Sequence, residues 1–300
     1  MAQGRSYEKC WDMPFGGTSD ERHISKWFAC IAATLVSIAF KICFRYRIDG
    51  KENLYKLFGK TGVVLVANHT SFLDVIFIYL SCIWKVWPRF IARDTLFDGK
   101  PWIFGWLLSH VGVFPIKRDS ADRTAIKRAA KMLKTGEAIA ILPEGTRRGK
   151  GSKTPEIHGG AGLIARMGKA PLLPMTVRDA ENVKRKGEHV RFPKITIEFG
   201  QPVLLEDFDF LPKEDRLDGC VWYAMRECFA LSKRIAPDEV NMVDLFPEGK
   251  DFTAVFAEHA VPRHTTDELV ASLEAEEQKK LARAAAKAEA SVVADASDSE

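Results

Sequence analysis

The sequence predicts an α/β fold: a single domain on a mixed, largely parallel sheet, preceded by an apolar N-terminal helical segment. Three observations carry that expectation. Between about Gly62 and Gly200 short apolar runs alternate with stretches of helical periodicity, as strands joined by crossover helices do. The helical stretches have recognisable starts and stops. At 300 residues, 46% hydrophobic and 28% charged, the chain can bury one full-sized core and still carry appendages at either end.

Residues 1–26 are polar and contain Trp11, Pro14 and Gly16-Gly17, so no early apolar core of a secretory signal is present. The sequon Asn68-His69-Thr70 is then coincidental. From Trp27 to Phe40 no charge occurs, and ICF follows Lys41 before Arg45 and Arg47. Crossing a bilayer takes roughly 20 apolar residues. This stretch is marginal for that and better suited to a helix in the interface, its basic flank of Lys41, Arg45, Arg47 and Lys51 meeting anionic headgroups. A membrane-associating helix is expected over about 27–47; the competing reading is a buried core helix.

VVLVA at 63–67 is the first strand, and Phe72 to Trp84 is long enough for a helix that Thr70 or Ser71 caps. Ala125, Ala129, Met132 and Leu133 recur at helical spacing in a helix over Ser120–Thr135, stopped by Gly136. Further strands are expected at 138–142, 172–177 and 194–199, then a helix from Asp218 to Ile235 and a loop-like stretch to about His264. Residues 266–290 are rich in Ala, Glu and Lys and read as helix, and the acidic, small-residue end from Ser291 as disorder. The organisation is an N-terminal segment (1–60), a catalytic domain (61–264) and a tail (265–300).

The net charge of +4 suits work beside anionic lipid and falls far short of a nucleic-acid binder. The six cysteines, at 10, 30, 43, 82, 220 and 228, form no Cys-x-x-Cys and read as buried small hydrophobes in a reducing compartment.

Three polar clusters follow apolar runs. His69 and Asp74 stand five apart where a strand passes into a helix, so the carboxylate can orient the imidazole and raise its basicity toward an alcohol. Lys117-Arg118-Asp119 follows Val113 to Ile116. Pro143-Glu144-Gly145-Thr146-Arg147-Arg148 follows the strand at 138–142, and a guanidinium fork suits phosphate. Each has a plain reading alone: a structural hydrogen bond, a solvated helix start, a tight turn. Together, at successive strand ends, they converge on one cleft. Two look-alikes carry no such weight. Gly160-Ala161-Gly162-Leu163-Ile164-Ala165 fits a dinucleotide fingerprint but lacks the preceding strand, so its glycines serve close helix packing. A second Pro-Glu-Gly at 247–249 is a turn. No nucleophile elbow, P-loop or zinc ligand set occurs.

His69-x4-Asp74, the Arg118 block, Pro-Glu-Gly-Thr-Arg and Pro174 in an apolar strand resemble, in order and approximate spacing, the four motifs of the glycerolipid acyltransferase family, over roughly 62–180. Within that family the set is similar to the 1-acylglycerol-3-phosphate acyltransferases. The resemblance implies His69 as general base and Asp74 as its orienting partner. It implies an acceptor held by Arg118, Glu144, Gly145, Thr146 and Arg147, and a cleft wall shaped by Pro174. The acyl group would come from acyl-CoA or acyl-carrier protein, with no metal or prosthetic group. Backbone N–H groups of Thr70 and Ser71 are the expected oxyanion donors, and the site would face the cytoplasm from a membrane surface. One departure stands out: Ile157-His158-Gly159-Gly160 replaces the Phe-Lys-x-Gly of many relatives. Another acceptor (glycerol 3-phosphate, a lysophospholipid, a lyso-aminolipid) and a silent lipid-binding protein are the alternatives.

Overall fold

The structure is a computed structural model and describes residues 6–16, 24–82, 84–98, 102–117, 122–145, 147–148, 154–184 and 187–297. The strands are β1 (Arg47–Asp49), β2 (Val63–Ala67), β3 (Arg89–Arg93), β4 (Phe114–Ile116), β5 (Ala138–Ile141), β6 (Leu172–Arg178) and β7 (Thr196–Phe199). Among the described residues the helices are α1 (Lys26–Phe44), α2 (Lys51–Leu57), α3 (Leu73–Cys82), α4 (Thr95–Asp98), α5 (Trp102–His110), α6 (Arg123–Lys134), α7 (Gly160–Gly168), α8 (Arg216–Lys233), α9 (Met242–Leu245), α10 (Thr253–Glu258) and α11 (Thr266–Ser297).

The seven strands form one sheet in the order β1-β7-β6-β2-β5-β3-β4. β6, β2, β5, β3 and β4 are mutually parallel, while β7 runs antiparallel to β6 and takes β1 parallel beside it. Alternating side chains of β2 feed two cores. Val64 and Val66 pack with α6, α7 and α8 on one face; Val63, Leu65 and Ala67 pack with α2, α3 and the end of α1 on the other. α6 begins where the Asp122 carboxylate accepts the Ala125 N–H at 3.0 Å, and ends at Gly136, φ 83°. The look-alike glycines are packing residues: a Cβ on Gly162 would lie 2.9 Å from the Leu217 carbonyl oxygen.

Several expectations need correcting. β1 and β3 carried no separate sequence signal, and β4 entered only as the apolar run before Lys117; within the segment 1–60, β1 pairs with β7 and α2 packs into the core under the sheet. α11 continues to Ser297 where disorder was expected from Ser291; no Gly or Pro interrupts it there. Cys43 is exposed while the other five cysteines are buried.

The N-terminal segment is bound in by charge. Arg89 is 0% exposed. Its guanidinium donates to the carbonyls of Gly112 (2.7 Å), Met13 (2.9 Å), Cys10 and Trp11 (both 3.4 Å), and to the Glu137 carboxylate (3.2 Å). Residues 10–13 thus satisfy a buried cation that would be costly to leave unpaired.

α1 divides its apolar side chains. Phe40 and Phe44 turn inward onto Phe77, with ring centroids 5.3 and 5.5 Å away. Trp27, Ile31, Leu35, Ile38 and Ile42, spaced four, four, three and four apart, form an outward stripe, four of them 55–75% exposed. Neither reading of α1 is complete alone, since one face is core and the other bare. No described helix is long and apolar enough to cross a membrane.

Candidate active site

The parallel strands β2, β5 and β6 end at one edge of the sheet, so the loops after them meet whatever their separation in sequence. β2 delivers His69 two residues past its end, and β5, beside it, delivers Glu144 three residues past its own.

Asp74 sits in the first turn of α3 and is 1% exposed. Its Oδ2 accepts from three groups: the Thr70 and Ser71 N–H, each at 2.8 Å, and His69 Nδ1 at 3.0 Å. The same carboxylate therefore fixes the turn that leads into α3 and orients the imidazole, while the Ser71 hydroxyl accepts the Leu73 N–H at 3.3 Å at the helix start. An oxygen already accepting two backbone N–H groups calls for a proton on Nδ1, which leaves the lone pair on Nε2. The His69 side chain is 16% exposed, enough to be met by a small reactive group. Because Thr70 and Ser71 spend their N–H groups on Asp74, they are not the oxyanion donors the sequence suggested.

Glu144 is buried. One oxygen accepts the His69 N–H at 2.9 Å and the other meets Arg148 Nε at 2.6 Å. Burial pushes its carboxyl above the ordinary glutamate value, and the Arg148 charge with the His69 N–H pulls the other way. Both oxygens are engaged within the protein, so Glu144 supports the loop and is not an open contact for an acceptor. Gly145 turns that loop at φ 64°, the left-handed region a side chain disfavours. Arg148 closes the arrangement: its N–H donates to the His69 carbonyl at 3.0 Å and its Nη1 to the Leu245 carbonyl at 3.1 Å. Arg147 points elsewhere, its guanidinium 5.9 Å from the ring centroid of exposed Phe72, and no ion pair with a described carboxylate occupies it.

Pro174 is buried inside β6, level with Val66, three residues short of His69. Leu172 bridges Val203 while Met175 pairs with Phe199, a one-residue bulge opposite Pro174 that accommodates its missing N–H. It supports the sheet beneath the cleft instead of walling it. Arg118 and Thr146 lie outside the described residues. The strand before Arg118, β4, is the sheet edge, separated from β2 by β5 and β3, about 14 Å at the usual strand spacing. His158 is exposed, in keeping with a surface loop.

Leu245 and Phe246 were missed, and Arg148, named only within the cluster after the strand at 138–142, was given no part in holding His69. The available signal was the second Pro-Glu-Gly: it is indeed a turn, the Gly249 N–H reaching the Phe246 carbonyl at 3.0 Å, and it begins at the Phe246 that meets Arg148.

A family model described as Acyltransferase matches residues 45–178. The chain is 34% identical over 189 residues to a 1-acyl-sn-glycerol-3-phosphate acyltransferase of Bacillus subtilis, covering 63% of this chain and 85% of that protein. It is 30% identical over 169 residues to a chloroplastic 1-acyl-sn-glycerol-3-phosphate acyltransferase of Brassica napus, covering 56% of this chain and 47% of that one. It is 29% identical over 145 residues to that of Streptococcus pneumoniae, covering 48% and 51%. The chain thus spans most of the Bacillus protein and about half the length of the other two. A crystal structure of the 1-acyl-sn-glycerophosphate acyltransferase of Thermotoga maritima aligns with a TM-score of 0.47 at 21% identity, over 69% of this chain and 86% of that one.

Proposed function

Because the chain belongs to the acyltransferase family, we propose that it transfers a fatty acyl group to the free hydroxyl of lysophosphatidic acid, giving phosphatidic acid. The observation that carries the reading is the His69–Asp74 pair at 3.0 Å, with the lone pair left on Nε2 beside the carboxyl ends of the central strands.

His69 Nε2 takes the acceptor's hydroxyl proton as its oxygen attacks the thioester carbonyl carbon of acyl-CoA or acyl-carrier protein. The carbonyl π pair moves to oxygen, then returns as the C–S bond breaks. The departing sulfur takes the proton back from the imidazolium. An ester and a free thiol result, with no acyl-enzyme and no need of a metal or prosthetic group. Asp74 stabilises the imidazolium while it exists. Arg147, near exposed Phe72 and in no ion pair with a described carboxylate, is the described cation best suited to the acceptor's phosphate, with Arg118 as its expected companion.

The reading includes attachment to a membrane surface through the outward stripe of α1. Exposed Trp102, Ile103 and Leu107 of α5 add apolar surface, and Lys41 and Arg45 supply charge near the end of α1. Drawing a long-chain acceptor out of lipid costs roughly 0.8 kcal/mol per exposed methylene, and a cleft at the interface avoids most of that cost.

The test is thiol release by purified protein with lysophosphatidate set against glycerol 3-phosphate and lysophosphatidylcholine. Preference for lysophosphatidate supports the acceptor assigned; preference for another acceptor replaces it. No turnover with any of them, alongside binding to anionic vesicles, would show a lipid-binding protein instead of an enzyme.

A further inference from the structure

We propose that Arg148 is a positioning residue for the reaction, holding the main chain of His69 through Glu144 while the segment at 245–246 holds Arg148. This rests on the reading of His69 as the base.

Asp74 fixes the imidazole, and the loop after β5 fixes the backbone that carries it. The His69 N–H donates to Glu144 Oε1 at 2.9 Å and its carbonyl accepts the Arg148 N–H at 3.0 Å, so both backbone polar groups of the base end on one loop. The Arg148 side chain ties that loop back on itself through the 2.6 Å contact of Nε with Glu144 Oε2. The guanidinium lies between two buried rings, 4.7 Å from the centroid of Phe229 and 4.4 Å from that of Phe246, and Nη1 reaches the Leu245 carbonyl at 3.1 Å. A planar fork meets a carboxylate, a carbonyl and two ring faces together; an ammonium cannot. Phe229, Leu245 and Phe246 lie beyond the residues 45–178 that carry the family match, so the C-terminal part of this chain contributes to holding the base.

One property separates positioning from simple folding support. Glu144 is buried, and Arg148 opposes the upward push that burial exerts on its carboxyl. Without Arg148, Glu144 holds a proton to higher pH, and a neutral carboxyl is a weaker acceptor for the His69 N–H. Loss of Arg148 therefore moves the Glu144-linked pH dependence to higher pH than in wild type.

The experiment compares full-length wild type with Arg148→Met, Arg148→Lys, Glu144→Gln, Phe246→Leu and the Arg148→Met/Glu144→Gln pair. Turnover is measured across pH on whichever acceptor wild type uses, so that the acceptor assignment and this proposal fail separately. Hydrogen exchange over residues 66–74 is followed without substrate. Arg148→Met should lower kcat about 10- to 100-fold, leave both KM values within about threefold, and speed exchange at 66–74. Its activity should climb with pH in a limb displaced upward from that of wild type, which the paired variant lacks because Gln accepts without titrating. Arg148→Lys should fall between. If Arg148→Met does not fold, Arg148→Lys and Phe246→Leu must show the same kcat-selective loss. An unchanged kcat, an acceptor KM that rises with kcat intact, or a wild-type pH profile in Arg148→Met would each overturn the proposal.

Discussion

Replacing Asp74 by Asn keeps the shape of the side chain and removes its charge. Its Oδ2 accepts from the Thr70 N–H, the Ser71 N–H and His69 Nδ1 at 2.8, 2.8 and 3.0 Å, and Asp74 itself is 1% exposed to solvent. The two backbone contacts are the same before and during the reaction, so weakening them costs stability, of order 1–3 kcal/mol, more than rate. The His69 contact changes: the imidazole becomes a cation as it takes the acceptor's proton. Charge centres about 4 Å apart attract by about 4 kcal/mol at an effective dielectric constant near 20. A neutral amide forfeits most of that in the transition state only, which corresponds to roughly a 10³-fold loss in kcat with KM little changed. The assay is thiol release under saturating acceptor, with circular dichroism melts beside it. Asp74→Asn that melts within a few degrees of wild type yet keeps more than about a third of its turnover would refute the orienting role. A loss of activity tracking a loss of fold would make Asp74 a support of the turn at 70–71 alone.

His69→Ala should remain folded and lose on the order of 10²- to 10⁴-fold in turnover, measured as thiol release. Gly145→Ala forces a side chain onto φ 64°, and a melt should show a loss of about 1–2 kcal/mol together with reduced kcat, since the turn carries Glu144 and Arg148. For Glu144→Gln the sign follows from burial: the folded chain keeps a proton that the unfolded chain has released. Wild-type stability therefore falls as pH rises from the ordinary glutamate value of 4.5 to the raised native one, and melts of the Gln variant should lack that slope. Leu35→Glu with Ile38→Glu should weaken co-sedimentation with anionic vesicles and leave the melt near wild type, because both side chains face outward. Tight vesicle binding by that variant would remove α1 from the attachment. Truncation is a poorer test: deleting residues 1–47 strips Arg89 of the carbonyls of residues 10, 11 and 13 and should destabilise the fold by about 3–5 kcal/mol.

How far the sequence reached depended on whether the signal was local. The α/β class, β2, β5, β6, α3, α6 and α8 came from periodicity and caps, which neighbours in sequence set. His69 and Asp74 were legible because a five-residue spacing across a strand-to-helix junction leaves the carboxylate little choice but to meet the ring. The bare stripe of α1 was half legible: the apolar run was plain, but which side chains face α3 is settled by Phe77, 33 residues beyond Phe44 in the chain.

What the tertiary structure decided is the order of strands and the partner of every buried charge. Nothing local says that β5 lies beside β2 or that β4 forms the edge, because pairing is chosen by how the whole apolar surface is covered. That order brings Glu144 to the backbone of His69. Arg89 looked like any other arginine in the sequence, and Arg148 stood in the polar cluster after β5 with nothing to say that it is buried. They are buried because carbonyls, carboxylates and rings from distant segments surround them, and a desolvated guanidinium is tolerable only where such partners already stand. The sequence by itself determined that His69 and Asp74 meet at a strand-to-helix junction; the assembled chain determined what holds them still.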